Sequence, residues 1–426
     1  MELVRTAAAN SLAATAPQVV GLALLTIVGF EYGVSGQSAL GAATSVFGAA
    51  VMLTIGSSIV AMRLVSVNLR PSESPSFSSA NESLKEALQV EMSNTWILAL
   101  ASLILAWTMA TIAYLTSPEI GRLVFAWIGG STLWIITIPY TNFASGTMQA
   151  LGRDGANSAV ALAGCAAEIA LGAIVFLVLR PSLATALFVA SFGSGVMSIV
   201  FLLYRVQYIQ RVVKFRFNFR ARLNKNWPRS LWFSVMAGLD GLVYMLVFSA
   251  AVIIASGYSP ASGAAVAGAV AVARLFILPV KQLGFVGGRW IAQGVMPPAD
   301  GLRFVRLVSF IVCAACALLF LSWAIISTSV PIALALLVAL QLTLEPVAGV
   351  EYAVLKVAAG PQAGVLWLIV CYGVLAPLGL IAIAGFEIGE AWIIWSLLLL
   401  VRALFALGAL FLTRRLTQSV ASAERA

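Results

Sequence analysis

The chain has 426 residues, 61% hydrophobic and 10% charged, with mean hydropathy +1.01 and a formal net charge of +9. Soluble domains run about 45–50% apolar and about 25% charged, so this composition excludes a water-soluble globular protein, and it equally excludes a disordered one. The apolar runs are unbroken over about 20 residues rather than alternating, which excludes an outer-membrane barrel and leaves spanning helices.

About twelve stretches have spanning length. In chain order they lie near residues 10–30, 39–62, 95–116, 121–145, 157–179, 183–204, 231–256, 262–293, 304–327, 330–354, 364–385 and 391–413. The first contains Pro17 and lacks a signal-peptidase pattern, so an uncleaved first span is expected. Residues 71–94 are rich in Ser and Glu and are expected to form a short helix along the membrane surface. Tyr204 to Arg229 is densely basic and reads as a connector on the anionic inner leaflet. The expected organisation is an N-terminal six-helix bundle over 1–204, the connector over 205–229 and a C-terminal six-helix bundle over 230–426.

Loop charge sets the orientation. One alternating set of loops holds Arg63, Arg70, Lys85, Arg153, Arg205, Arg211, Arg303, Arg306, Lys356 and the connector, and both tails join it. The opposite set holds only Arg122 and Arg180, beside Glu31, Glu119, Glu387 and Glu390. By the positive-inside rule both termini are cytoplasmic in a multi-pass cell (inner) membrane protein. That rule already accounts for the basic charge, so no nucleic-acid partner is expected. Membrane lipids are partners, and a monomer is expected.

The halves repeat. Ser38-Ala-Leu-Gly-Ala-Ala-Thr opens the second stretch and Ser262-Gly-Ala-Ala-Val-Ala-Gly the eighth. Ile138-Pro139-Tyr140 lies in the fourth and Glu345-Pro346-Val347 in the tenth. Six spans per repeat is even, so the repeats run parallel, related by an axis along the membrane normal. The fold class expected is all-α, with two pseudo-symmetric six-helix bundles around a central cleft.

No catalytic constellation stands out. There is no histidine and no Walker-type phosphate loop, and Cys165, Cys313, Cys316 and Cys371 all lie in apolar segments. No enzyme activity, cofactor or resident metal is expected, apart from Na⁺ as a coupling ion.

Three segments carry a resemblance. They are Ala271-Val-Ala-Arg274-Leu-Phe-Ile-Leu-Pro279, the run from Glu345 to Leu355-Lys356, and Gly389-Glu-Ala-Trp392-Ile-Ile-Trp395. In these the chain resembles the multidrug and toxic-compound extrusion (MATE) transporters, whose wider superfamily includes flippases for lipid-linked oligosaccharides. The resemblance implies cation-coupled antiport by alternating access. It also implies coupling acids in spans one, seven and ten. Glu345 matches the tenth-span acid and Asp240 lies close to the seventh-span position, while Leu25 stands where the first-span acid would be. Coupling is therefore expected in the second half.

Intramembrane charges point the same way and also against it. A charge at mid-span costs about 2.5–3.5 kcal/mol on insertion scales, so each needs a partner or a role. Asp240 and Glu345 are cation-coupling candidates for H⁺ or Na⁺, and Pro346 frees a carbonyl that would help ligate Na⁺. Glu168 is a third candidate, either lining a cavity or pairing with a basic neighbour. Glu351 reads as interfacial and structural. Among the cations, Arg274 in the eighth span and Arg402 centrally in the last need an acidic partner or an anionic substrate; a salt bridge is expected for Arg274, which with Lys281 is also a candidate for the substrate cleft. Lys281 either snorkels or faces a lipid phosphate. Tyr140, Phe143, Tyr244 and Phe276 are candidates for an apolar cleft wall or for plain helix packing. Trp107, Trp127, Trp134, Trp290, Trp392 and Trp395 read as interfacial anchors.

The function these features imply is secondary-active export of a hydrophobic or amphipathic small molecule. The alternative is a flippase for a lipid-linked oligosaccharide or polysaccharide precursor.

Overall fold

A computed structural model describes residues 2–68, 82–116, 118–213, 227–327, 331–360 and 362–423. Residues 71–81 of the Ser/Glu-rich segment and 214–226 of the basic connector lie outside the described residues. Regular structure among the described residues is helical throughout. In order the helices are α1 (Glu2–Met52), α2 (Ile55–Asn68), α3 (Glu82–Thr116), α4 (Pro118–Ala150), α5 (Asp154–Ala173), α6 (Leu183–Val213) and α7 (Trp227–Tyr258). They continue as α8 (Pro260–Ala292), α9 (Pro298–Ser327), α10 (Ile332–Glu345), α11 (Tyr352–Ala358), α12 (Val365–Leu368), α13 (Ala376–Gly385) and α14 (Ala391–Ala423).

The expected spans all fall on these helices. Eleven segments among the described residues are long and apolar enough to cross a membrane. The expected eighth span is α8, a 33-residue helix that carries Arg274, Lys281 and Arg289 and is not among the eleven. This is a multi-pass, all-α membrane protein.

Two local devices shape the helices. Gly33 breaks α1 with φ 71° and ψ −167°, a conformation open to glycine, and so separates the first span from the second. Wider π-helical turns occupy Ile174–Leu179, Pro346–Glu351 and Ile369–Leu375. At Pro346 the cause is chemical: proline has no N–H to donate and its ring crowds the carbonyl four residues back. The helix widens by one residue there instead of ending, and α10 and α11 form one span, Ile332–Ala358.

The chain forms two compact units, residues 16–242 and residues 1–15 with 243–426. The sequence of α7 is divided between them. In the first of these units α4 packs along α6, α3 and α2. Its core joins Val28, Leu40, Val124, Ile128, Ile135, Phe176 and Leu187. Helices approach closely where glycine leaves room. A Cβ on Gly56 would stand 1.8 Å from the Ser234 carbonyl oxygen, and one on Gly238 would stand 2.1 Å from that of Leu53. Such contacts replace the hydrophobic effect, which supplies little driving force between helices in lipid.

In the second unit α8 packs against α11 and α9, and α10 against α9 and α14. Val280, Leu283, Val286, Val305, Val350 and Val354 form its core.

Two expectations need correction. The segment up to Asn94 is no surface helix in its described part: α3 runs unbroken from Glu82, and Leu88 to Thr95 are all buried. Glu351, by contrast, has the structural role expected of it: it is fully buried, and Arg306 and Thr413 reach it from two neighbouring helices. Trp127 and Trp395 are core residues, 2% and 0% exposed, rather than interfacial anchors; Trp392, 49% exposed, stays at the surface.

Candidate functional site

The expected site residues do not gather in one place. Glu345, at the end of α10, is buried and meets Arg402 of α14 in a two-pronged ion pair. Arg402 Nε donates to Glu345 Oε1 at 2.8 Å and Nη2 to Oε2 at 2.5 Å. The third nitrogen, Nη1, donates to the Tyr244 hydroxyl at 2.7 Å and makes a longer 3.4 Å contact with that of Tyr372. The planar fork of arginine matches both carboxylate oxygens, and this geometry makes the strongest ion pairs in proteins.

Aromatic rings wall the pair. Tyr244 and Tyr372 meet edge to face at 4.4 Å, and the Arg402 guanidinium lies 5.1 Å from the Tyr244 ring centre and 5.7 Å from that of Phe405. Lys281 joins from α8, with its ammonium 5.5 Å from the Tyr244 ring centre. Cation–π contact of this kind stabilises a charge that has left water. Gly349, in the π-helical turn, makes the assembly possible. A Cβ there would stand 2.4 Å from Glu345 Oε2, 3.4 Å from Arg402 Nη2 and 3.5 Å from Lys281 Cγ. Thus Glu345, Tyr244 and Lys281 come together, around an arginine whose need for an acid was visible in the sequence.

Below this pair, on the same α10–α11 span, Glu351 pairs with Arg306 Nε and accepts from Thr413 Oγ1 at 2.7 Å. Both acids of the span are therefore matched by arginines.

Arg274 behaves differently. It is half-buried on α8 and has no hydrogen bond or ion pair among the described residues, so the expected salt bridge is not formed there. Phe276 is half-buried two residues on. Arg274 and Lys281 are seven residues apart, so they share one helix face, about 10 Å apart along the axis.

The other candidates lie in the unit of residues 16–242. Asp240 is 6% exposed in α7. Glu168 is half-buried on α5 and makes no hydrogen bond or ion pair among the described residues. Tyr140 and Phe143 are buried on α4, with Tyr140 edge to face against Trp96 at 5.8 Å.

Sequence reasoning missed one acid. Glu91 of α3 is fully buried and accepts from Ser234 Oγ at 2.5 Å, Ser230 Oγ at 3.0 Å and Asn94 Nδ2 at 3.0 Å. The available signal was the row of small residues on α7, Ser230, Ser234 and Gly238, which marks a close helix contact.

No family model matches the sequence, and no curated protein matches it. Solved structures match over nearly its whole length. A MATE structure in the straight conformation has a TM-score of 0.79 at 14% identity, covering 99% of this chain and 96% of that one. One in the bent conformation has a TM-score of 0.78 at 15% identity, covering 100% and 97%. A MOP superfamily transporter from Pyrococcus furiosus, whose binding pocket of reverse polarity suggests a different function, scores 0.75 at 14% identity, covering 98% and 96%. What is shared at these identities is the course of the chain: this protein has the MATE transporter fold.

Proposed function

We propose that this chain is an alternating-access carrier that moves an amphipathic anion across a cell membrane, a lipid-linked glycan with its phosphate being the class that fits. The observation that carries this reading is the closing of Glu345 by Arg402. The tenth-span acid is already neutralised by the protein, which leaves it a poor seat for a cationic drug or a coupling ion. Arg274 meanwhile has no acid among the described residues and shares a helix face with Lys281. A bare guanidinium at that depth is costly unless an anion meets it. The Pyrococcus furiosus carrier supports the idea that this fold accommodates a change in pocket polarity.

A second reading, export of a neutral or cationic compound by H⁺ or Na⁺ antiport, draws on Asp240, a buried acid well inside α7. Both readings place the termini in the cytoplasm, as the loop charges favour.

Binding separates the two. Detergent-purified protein should be stabilised against heat by a polyprenyl phosphate and not by tetraphenylphosphonium, and Arg274→Gln should weaken the first effect about tenfold or more, the equivalent of about 1.4 kcal/mol. Stabilisation by tetraphenylphosphonium alone would favour the antiport reading instead.

A further inference from the structure

The carboxyl group of Glu91 is 0% exposed, and no lysine or arginine pairs with it among the described residues. Its partners are the hydroxyls of Ser230 and Ser234, one turn apart on α7, and the amide of Asn94, one turn along α3. A buried carboxylate without a counter-charge is costly, and neutral donors offset only part of that.

A second observation lies in the amide. Asn94 is itself fully buried, and its Nδ2 is engaged twice, by Glu91 Oε2 and by Ser230 Oγ at 2.8 Å. Its Oδ1 is buried with no hydrogen-bond partner at all. Natively buried carbonyl oxygens rarely go unsatisfied. Turning the amide by half a revolution would bring Oδ1 toward the carboxyl group, an arrangement that is repulsive unless a cation or the carboxyl's own proton lies between the two.

We infer that Glu91, Asn94, Ser230 and Ser234 form a binding site for a monovalent alkali cation, with Na⁺ as the ion to test. The ligands are all hard oxygens, the donor type that suits hard cations. Charge selects the valence: one carboxylate and one monovalent ion give a neutral buried cluster, whereas a divalent ion would leave a net positive charge. The site joins α3 to the first part of α7. Within the unit of residues 16–242 that part of α7 is already seated on α2 through Gly56 and Gly238. Cation binding would thus fasten the start of α7. The test of this site needs no substrate, so it and the transport reading stand or fall separately.

The experiment is a thermal-unfolding titration of the purified protein with NaCl or KCl against choline chloride at constant ionic strength. The site predicts a saturable rise in melting temperature with Na⁺ or K⁺ and none with choline. Glu91→Gln should abolish the rise. If that variant does not fold, Asn94→Leu and Ser234→Ala should each shift the titration midpoint about tenfold or more toward higher salt, equivalent to about 1.4 kcal/mol. A wild-type protein indifferent to Na⁺ and K⁺ overturns the proposal. So does a rise that survives Glu91→Gln at the wild-type midpoint, or one that Glu345→Gln alone removes.

Discussion

Glu345 and Glu91 are buried to the same degree, 1% and 0% exposed, but their surroundings are opposite in kind. Glu345 faces a guanidinium that takes both of its oxygens, within a wall of tyrosine and phenylalanine. Glu91 faces two serines and an asparagine. The first is a closed account of charge, with the counter-ion built into the chain. The second has hydrogen bonds without a counter-ion. The difference teaches that depth and burial do not by themselves identify a coupling acid. What matters is whether the protein already supplies the positive charge that an ion or substrate would bring.

The sharpest way to break this comparison is to remove one side of the closed pair. Arg402→Met strands a buried carboxylate, and losses of this kind run about 3–5 kcal/mol. Unfolding or loss of folded yield is therefore expected. Glu345→Leu together with Arg402→Met removes both charges and should recover most of the lost stability, because a matched apolar pair is often neutral or better. Folded yield and melting temperature of the two singles and the double measure the coupling directly. A double variant no more stable than either single would show that the pair does not act as a unit.

Ser234→Ala should have a smaller effect. It removes one of three donors to Glu91, and hydrogen bonds to charged groups contribute about 1.5–3 kcal/mol. In the absence of alkali cations its destabilisation should fall near that range, read as a shift in the thermal midpoint. No shift would mean that Ser234 is not seated against Glu91.

The smallest effect is expected at the surface. Arg180 and Glu31 stand 3.4 Å apart, but the arginine side chain is 60% exposed. Exposed pairs contribute about 0–1 kcal/mol, so Glu31→Gln should leave the melting temperature nearly unchanged. Arg180 also has φ 45°, which glycine adopts more easily, so Arg180→Gly should be tolerated.

Much of the fold was legible because the bilayer imposes it. A span needs about 20 apolar residues whatever its neighbours, and each stretch chosen on that ground falls mainly on helix among the described residues. The need of Arg402 for an acid was legible too, since a guanidinium at mid-span must be met. Its partner was not. Pairing Glu345 with Arg402 depends on the π-helical turn after Pro346 and on Gly349 leaving room, and neither is a property of spacing along one helix. Glu91 was hidden for another reason. Gln89, Glu91, Ser93, Asn94 and Thr95 look like a polar surface in one dimension; packing of α3 on α4 and α2, with Ser230 and Ser234 of α7 reaching Glu91, makes them an interior. Arg306 with Glu351 is a similar case, because the pair spans two helices.

The claim that the carrier moves an anion is tested most directly by transport itself. Proteoliposomes containing the wild-type protein or Arg274→Gln would be loaded with a fluorescent polyprenyl phosphate or with ethidium, and the initial rate of movement across the bilayer followed for each. Protein-dependent movement of the phosphate is expected, with little movement of ethidium and about a tenfold or greater fall in the phosphate rate in Arg274→Gln, equivalent to about 1.4 kcal/mol. Rapid ethidium movement that ignores Arg274→Gln, with the phosphate left in place, would contradict the claim.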